Sequence, residues 1–93
     1  MSLSKHDQKV KAEAEKLKRQ GYTVQAHLPG YDRPDGIGKN NFIPDIVAKK
    51  TNSTKIIEVE TPTSIKKDKQ QQAAFRRSAA QKRGTSFEIK KTK

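Results

Sequence analysis

Residues 42–60, FIPDIVAKKTNSTKIIEVE, hold two apolar runs separated by a polar turn. Phe42 to Ala48 reads as a strand. Its Pro44 has no N–H to give to a ladder and so belongs at an edge, a bulge or the strand start. Lys49 to Thr54 is polar and carries Asn52-Ser53, a turn signal. Lys55 to Glu60 reads as the next strand, closed by Thr61-Pro62. Strands joined by so short a link are expected as an antiparallel hairpin. A turn centred near Asn52 makes paired residue numbers sum to about 103 or 104, which sets Asp45 opposite Glu58 or Val59. Side chains alternate along a strand, so Glu58 and Glu60 share one face and lie about 7 Å apart, at roughly 3.3 Å per residue. Ile57 and Val59 take the other face, which is the expected core side.

The flanking segments complete the pattern. Residues 4–20 contain no Gly or Pro, and Val10, Ala14 and Leu17 form one apolar stripe at helical spacing. Ser4 is the expected N-cap and Gly21 the stop. Tyr22 to Leu28 alternates as a strand does, and residues 29–41, rich in Gly, Pro and Asn, form a loop. Asp35-Gly36-Ile37-Gly38-Lys39 in that loop has neither P-loop nor dinucleotide-binding spacing; it is basic and adjoins the hairpin, where it can meet a substrate backbone. Residues 64–83 are expected to be helical, capped by Thr63 or Ser64, stopped by Gly84, with a thin apolar face of Ile65, Ala73, Phe75, Ala79 and Ala80. Thr85 to Ile89 is a last strand, and residues 1–4 and 90–93 are expected to fray. The order is α-β-β-β-α-β, an α/β fold in one domain over residues 1–93.

Composition bounds the function. The chain has 93 residues with 21 Lys and Arg against 10 Asp and Glu, a net charge of +11. It has no cysteine, which removes disulfides, thiolate metal sites and thiol nucleophiles. No apolar run approaches the roughly 18 residues of a membrane span, and no secretory leader is visible, so a soluble cytoplasmic protein with no membrane partner is expected. The basic excess is uneven. Residues 1–20 and 61–93 carry all of it, whereas residues 21–60 are balanced. A cationic surface around a central acidic site suits a phosphate-bearing polymer better than plain solubility does. Aromatic residues are few, so backbone contacts should outweigh base stacking.

The acids then need a reason. Asp45, Glu58 and Glu60 would converge at a strand edge, and like charges so close repel unless a cation intervenes. Oxygen ligands of this kind suit Mg²⁺ or Mn²⁺, and such an ion beside a phosphate supports phosphodiester hydrolysis. The plainer alternative is a solvated strand face, with Glu58 and Glu60 paired to nearby lysines.

Pro44-Asp45, twelve intervening residues, then Glu58-Val59-Glu60 resembles the motif of the PD-(D/E)XK nuclease superfamily. The element order is similar to the core of that superfamily, which includes restriction endonucleases and archaeal Holliday-junction resolvases. The resemblance covers about residues 5–89. It implies a restriction-endonuclease-like mixed sheet flanked by helices. It implies catalytic roles for Asp45, Glu58 and Glu60, and a metal site of Asp45, Glu58 and the Val59 carbonyl. Glu60 stands where the family usually has a lysine; some restriction endonucleases place Glu there, as a base for the attacking water or a further reach to the metal. Lys66, Lys67 or Lys69 can supply the missing positive charge. Many members add an acid on the first helix; the candidates here are Asp7, Glu13 and Glu15, and Val10 occupies the best-aligned position, with Asp7 and Glu13 within a turn of it. Gln71 echoes a glutamine of exonuclease-like members. Lys39, Lys66, Lys67, Lys69, Gln71 and Arg76 are the candidate nucleic-acid contacts. His6 and His27 do not form a ligand pair by spacing.

Three functions compete: a metal-dependent nuclease, with DNA the expected substrate; a nucleic-acid-binding domain without chemistry on the same fold; and a basic adaptor for an acidic protein. A homodimer would add gripping surface and a second site for the second strand.

Overall fold

The turn at Thr51-Asn52 joins β2 (Ile46–Lys50) to β3 (Ser53–Glu60) in the computed structural model, which describes residues 4–61 and 64–92. The side chains of Lys66 and Lys67, and the whole of Thr63, lie outside the described residues. Asn52 takes φ of 65°, a left-handed value that Asn accepts readily. The strands pair antiparallel with Ile46 opposite Ile57 and Lys50 opposite Ser53, the smaller of the two expected register sums.

β1 (Thr23–Ala26) pairs antiparallel on the free side of β2, and β4 (Thr85–Lys91) pairs parallel to β3. The sheet is therefore mixed, in the order β1-β2-β3-β4. A parallel neighbour needs a crossover, which α2 (Ser64–Lys67) and α3 (Lys69–Gln81) provide. β3 is central, and its last five residues are all buried. On one face, Ile46, Ala48, Ile57 and Val59 pack with Val10, Ala14 and Leu17 of α1 (Lys5–Arg19). On the α3 side, buried Phe75 meets Phe87 with ring centroids 5.6 Å apart. The architecture is an α/β sheet covered by helices.

α1 begins as expected, with Ser4 Oγ accepting the Asp7 N–H at 3.1 Å. It ends in a Schellman turn: Tyr22 N donates to Leu17 O, Gly21 N donates to Lys18 O, and Gly21 takes φ of 94°. Several expected boundaries move. The strand expected over 42–48 starts only at Ile46, because Pro44 offers the ladder no donor and Phe42 instead bridges Ile37. The strand expected over 22–28 stops at Ala26, whose N–H turns to Asp32 O at 2.9 Å.

The helix expected over 64–83 is broken at Asp68, although Asp68 N still donates to Ser64 O and Gln72 N to Asp68 O. Its cap is Thr61. Thr61 Oγ1 accepts Ser64 N–H at 3.0 Å, and Ser64 Oγ accepts Thr61 N–H at 2.9 Å, a reciprocal capping box. Ala73 and Ala80, expected on the apolar face, are exposed; Gln72 is buried instead and gives its amide to Ile65 O at 3.0 Å. The expected frayed tail is also corrected. Lys90 and Lys91 pair with Val59 and Glu60, and Thr92 N donates to Glu60 O. Among the described residues, no helix is long and apolar enough to cross a membrane.

Candidate active site

Pro44 is what opens the site. Continued two steps beyond Ile46 and Ile57, the hairpin register sets Asp45 opposite Glu58 and Pro44 opposite Val59. Pro44 has no N–H, so the ladder offers the Val59 carbonyl no donor. The Val59 N–H goes to Asp45 Oδ2 at 2.8 Å. Asp45 in turn gives its own N–H to Glu58 Oε1 at 2.9 Å, while its carbonyl accepts from His27 N. The two acids are thus locked to one another through backbone groups at the end of β2.

Both are withdrawn from water. Glu58 is 3% exposed, Glu60 is 1% exposed, and the Asp45 side chain is 13% exposed. The lysine ion pairs among the described residues go elsewhere, Lys9 to Glu13 and Lys90 to Glu88, and the cationic partner of Asp45 is His6, which also meets Asp7. The alternative of a solvated face salt-bridged to lysines is therefore overturned among these residues. Burial, then the charge of Asp45 and the neighbouring Glu60, lifts Glu58 from an ordinary 4.5 to about 9, against the opposing pull of the Asp45 N–H. Glu58 holds a proton at neutral pH when no cation is present. Gln71 Nε2 reaches Glu58 Oε2 at 3.4 Å, a long contact that orients the group.

Glu60 belongs to the start of the crossover. Its Oε2 accepts the Ser64 hydroxyl at 2.5 Å, and its Oε1 is buried with no hydrogen-bond partner among the described residues. Burial raises its pKa, the Ser64 bond lowers it, and the charge of Asp68 raises it again, with a net rise.

His6 was not legible as a site residue by spacing, yet it sits in the site. Its Nε2 is 3.2 Å from Asp45 Oδ2 and its Nδ1 is 3.1 Å from Asp7 Oδ1. Burial lowers its pKa, but the hydrogen bonds and charges of Asp7 and Asp45 outweigh this and raise it above 6.5. The signal was in the topology. A helix that reverses at Gly21 into β1 places its first turn past the far end of β1, where β2 begins. Of the helix-1 acids, Asp7 reaches Asp45 through His6, buried Glu13 pairs with Lys9, and Glu15 is exposed; Val10, at the best-aligned position, is core. The His27 side chain is exposed.

Lys39, Lys69 and Arg76 are exposed, with Arg76 lying over the Phe87 ring, and Gln71 is half-buried against Glu58. Among the described residues, no three His, Asp or Glu side chains gather into a metal cage. Mg²⁺ seldom needs one: it commonly takes one or two carboxylates and completes its shell with water and substrate phosphate. Asp45, Glu58 and the Val59 carbonyl are the groups that could supply such ligands. The chain matches no family model, no curated protein and no solved structure.

Proposed function

We propose that the protein is a divalent-metal-dependent nuclease that hydrolyses phosphodiester bonds, in DNA by preference, on a restriction-endonuclease-like α/β core. The observation that carries this reading is the pairing of half-buried Asp45 with buried Glu58, cross-linked by backbone N–H groups at one strand end and left without a Lys or Arg partner among the described residues. In a chain of net charge +11, that arrangement costs folding stability and calls for a ligand. Asp45, Glu58 and the Val59 carbonyl would hold Mg²⁺ or Mn²⁺. Such an ion would polarise the phosphoryl oxygens and acidify a bound water. The chain's own groups do the rest. Gln71 orients Glu58, His6 steadies Asp45 from the first helix, and Glu60, with its raised pKa, accepts a proton from water more readily than an ordinary carboxylate. The cytoplasm is the compartment this reading implies, and a homodimer would present two such sites to the two strands of a duplex.

One observation favours a second reading, a nucleic-acid-binding domain without chemistry. Glu60 stands at the usual lysine position and is tied to Ser64. The experiment that separates the two incubates labelled linear, single-stranded and four-way-junction DNA with the protein in EDTA, Mg²⁺ and Mn²⁺. The nuclease reading expects cutting with either metal, none in EDTA, and none by Asp45→Ala or Glu58→Ala variants that still bind. Binding without cutting under every condition refutes it in favour of the second.

A further inference from the structure

The turn after β1 does more than connect. Ile37 and Phe42 exchange backbone hydrogen bonds of 2.8 and 3.0 Å, and Asn41 N donates to Gly38 O, closing residues 37–42 into a tight hairpin. The hairpin lies against α3 at Gly38, where an added Cβ would stand 3.4 Å from the Ala74 Cβ. Between hairpin and helix runs an open groove of about 530 Å³. One wall carries Lys39 and Phe42. The other carries Gln70, Arg77, Ser78 and Lys82. The groove thus gathers three cations and no acid. Lys39, Arg77 and Lys82 are in none of the ion pairs among the described residues, whereas Lys9 and Lys90 are neutralised by Glu13 and Glu88.

The groove's position ties it to the carboxylates. Gln70 precedes Gln71, whose amide reaches Glu58, and Phe42 lies three residues before Asp45. From Gln70 to Gln81 the helix spans about 17 Å at 1.5 Å per residue, about five nucleotides at 3.4 Å of rise per strand, and Lys82 follows at its C-cap. Ser78 and Gln70 add neutral hydrogen-bonding groups between the charges.

We infer that this groove holds the phosphodiester backbone of one nucleic-acid strand, with Lys39, Arg77 and Lys82 on successive phosphates, and feeds that strand toward Asp45 and Glu58. The inference rests on the nuclease reading for the direction of the strand, but its test is one of binding alone.

The test is fluorescence anisotropy in EDTA with a labelled 20-base-pair duplex and with its single strand, between 50 and 200 mM salt. Wild type is compared with a triple variant, Lys39→Ala, Arg77→Ala and Lys82→Ala. A control removes three exposed cations of α1: Lys11→Ala, Lys16→Ala and Arg19→Ala. Circular dichroism checks that all three proteins are folded. Losing three phosphate contacts should flatten the log–log salt slope on duplex by about 2.7, so wild-type affinity falls about 40-fold more than the groove variant's across that range. The control should keep the wild-type slope. An unchanged slope in the groove variant, or an equal flattening in the control, overturns the groove while leaving the nuclease reading standing. Wild type that binds neither probe at 50 mM salt overturns both. A polyglutamate peptide of matched charge that displaces the DNA equally well would assign the groove to an acidic protein and overturn the inference.

Discussion

Replacing Glu58 by Gln should stabilise the metal-free protein, and by an amount that grows with pH. Glu58 is buried beside Asp45 and titrates near 9 in the folded chain, against an ordinary 4.5 when unfolded. Between those values the folded state binds one more proton than the unfolded state, so stability is fully present below pH 4.5 and is lost as pH rises toward 9. At 1.36 kcal/mol per unit, the cost is about 1 kcal/mol at pH 5 and about 3 kcal/mol at pH 7. Gln has the shape of the protonated acid and can keep the contact with the Asp45 N–H without this cost. The assay is urea unfolding of wild type and Glu58→Gln in EDTA at pH 5, 7 and 8.5. The variant's advantage should widen by about 2.5 kcal/mol from pH 5 to pH 7. In thermal unfolding that is roughly 10 °C for a domain of this size. An advantage that stays flat across this range, or a variant less stable at pH 8.5, would refute the buried, proton-holding Glu58.

Mn²⁺ must displace the Glu58 proton, so its affinity, read by calorimetry, should rise about tenfold per pH unit up to about pH 9; a flat profile contradicts Glu58 as a ligand. Phe75→Ala should cost about 3–5 kcal/mol in urea unfolding, because Phe75 is fully buried against the sheet and the Phe87 ring. Gly84→Ala should cost roughly 1–3 kcal/mol, since Gly84 sits at φ of 78° and a Cβ there would stand 2.5 Å from the Asn52 carbonyl oxygen; a neutral substitution would show that this turn relaxes.

The hairpin was legible because its two signals agree. The Asn52 turn narrows the register to two neighbouring sums, and the apolar run Ile56-Ile57 marks the strand, so counting brings Asp45 opposite Glu58 or Val59; the backbone pairing of Ile46 with Ile57 selects Glu58. The first helix was legible from its stripe and from Ser4 and Gly21, residues that cap by local chemistry alone. What sequence could not supply was long-range. Gln72 is buried, in preference to Ala73, by the direction from which α3 crosses the sheet, and no local pattern records that direction. Lys90 and Lys91 look like a solvated tail, yet backbone pairing with Val59 and Glu60 holds them in β4 whatever their charge. Thr61 follows directly on an eight-residue strand and so reads as its end, yet its hydroxyl caps the Ser64 N–H. Among the described residues the local partner of His6 is Asp7, and its place beside Asp45 follows only once the helix is folded back over the strands.

The central claim is that Asp45 and Glu58 form the hydrolytic site of a nuclease. The most direct measurement is the single-turnover cleavage rate of a labelled DNA duplex by wild type and Asp45→Asn. It is run in Mn²⁺ at protein concentrations where anisotropy shows both bound to the same extent. The account predicts strand scission by wild type that stops on adding EDTA, and a loss of at least a hundredfold in the variant at equal occupancy, about 3 kcal/mol of barrier or more. Equal rates for the two proteins, or no scission by a fully bound wild type, would contradict it.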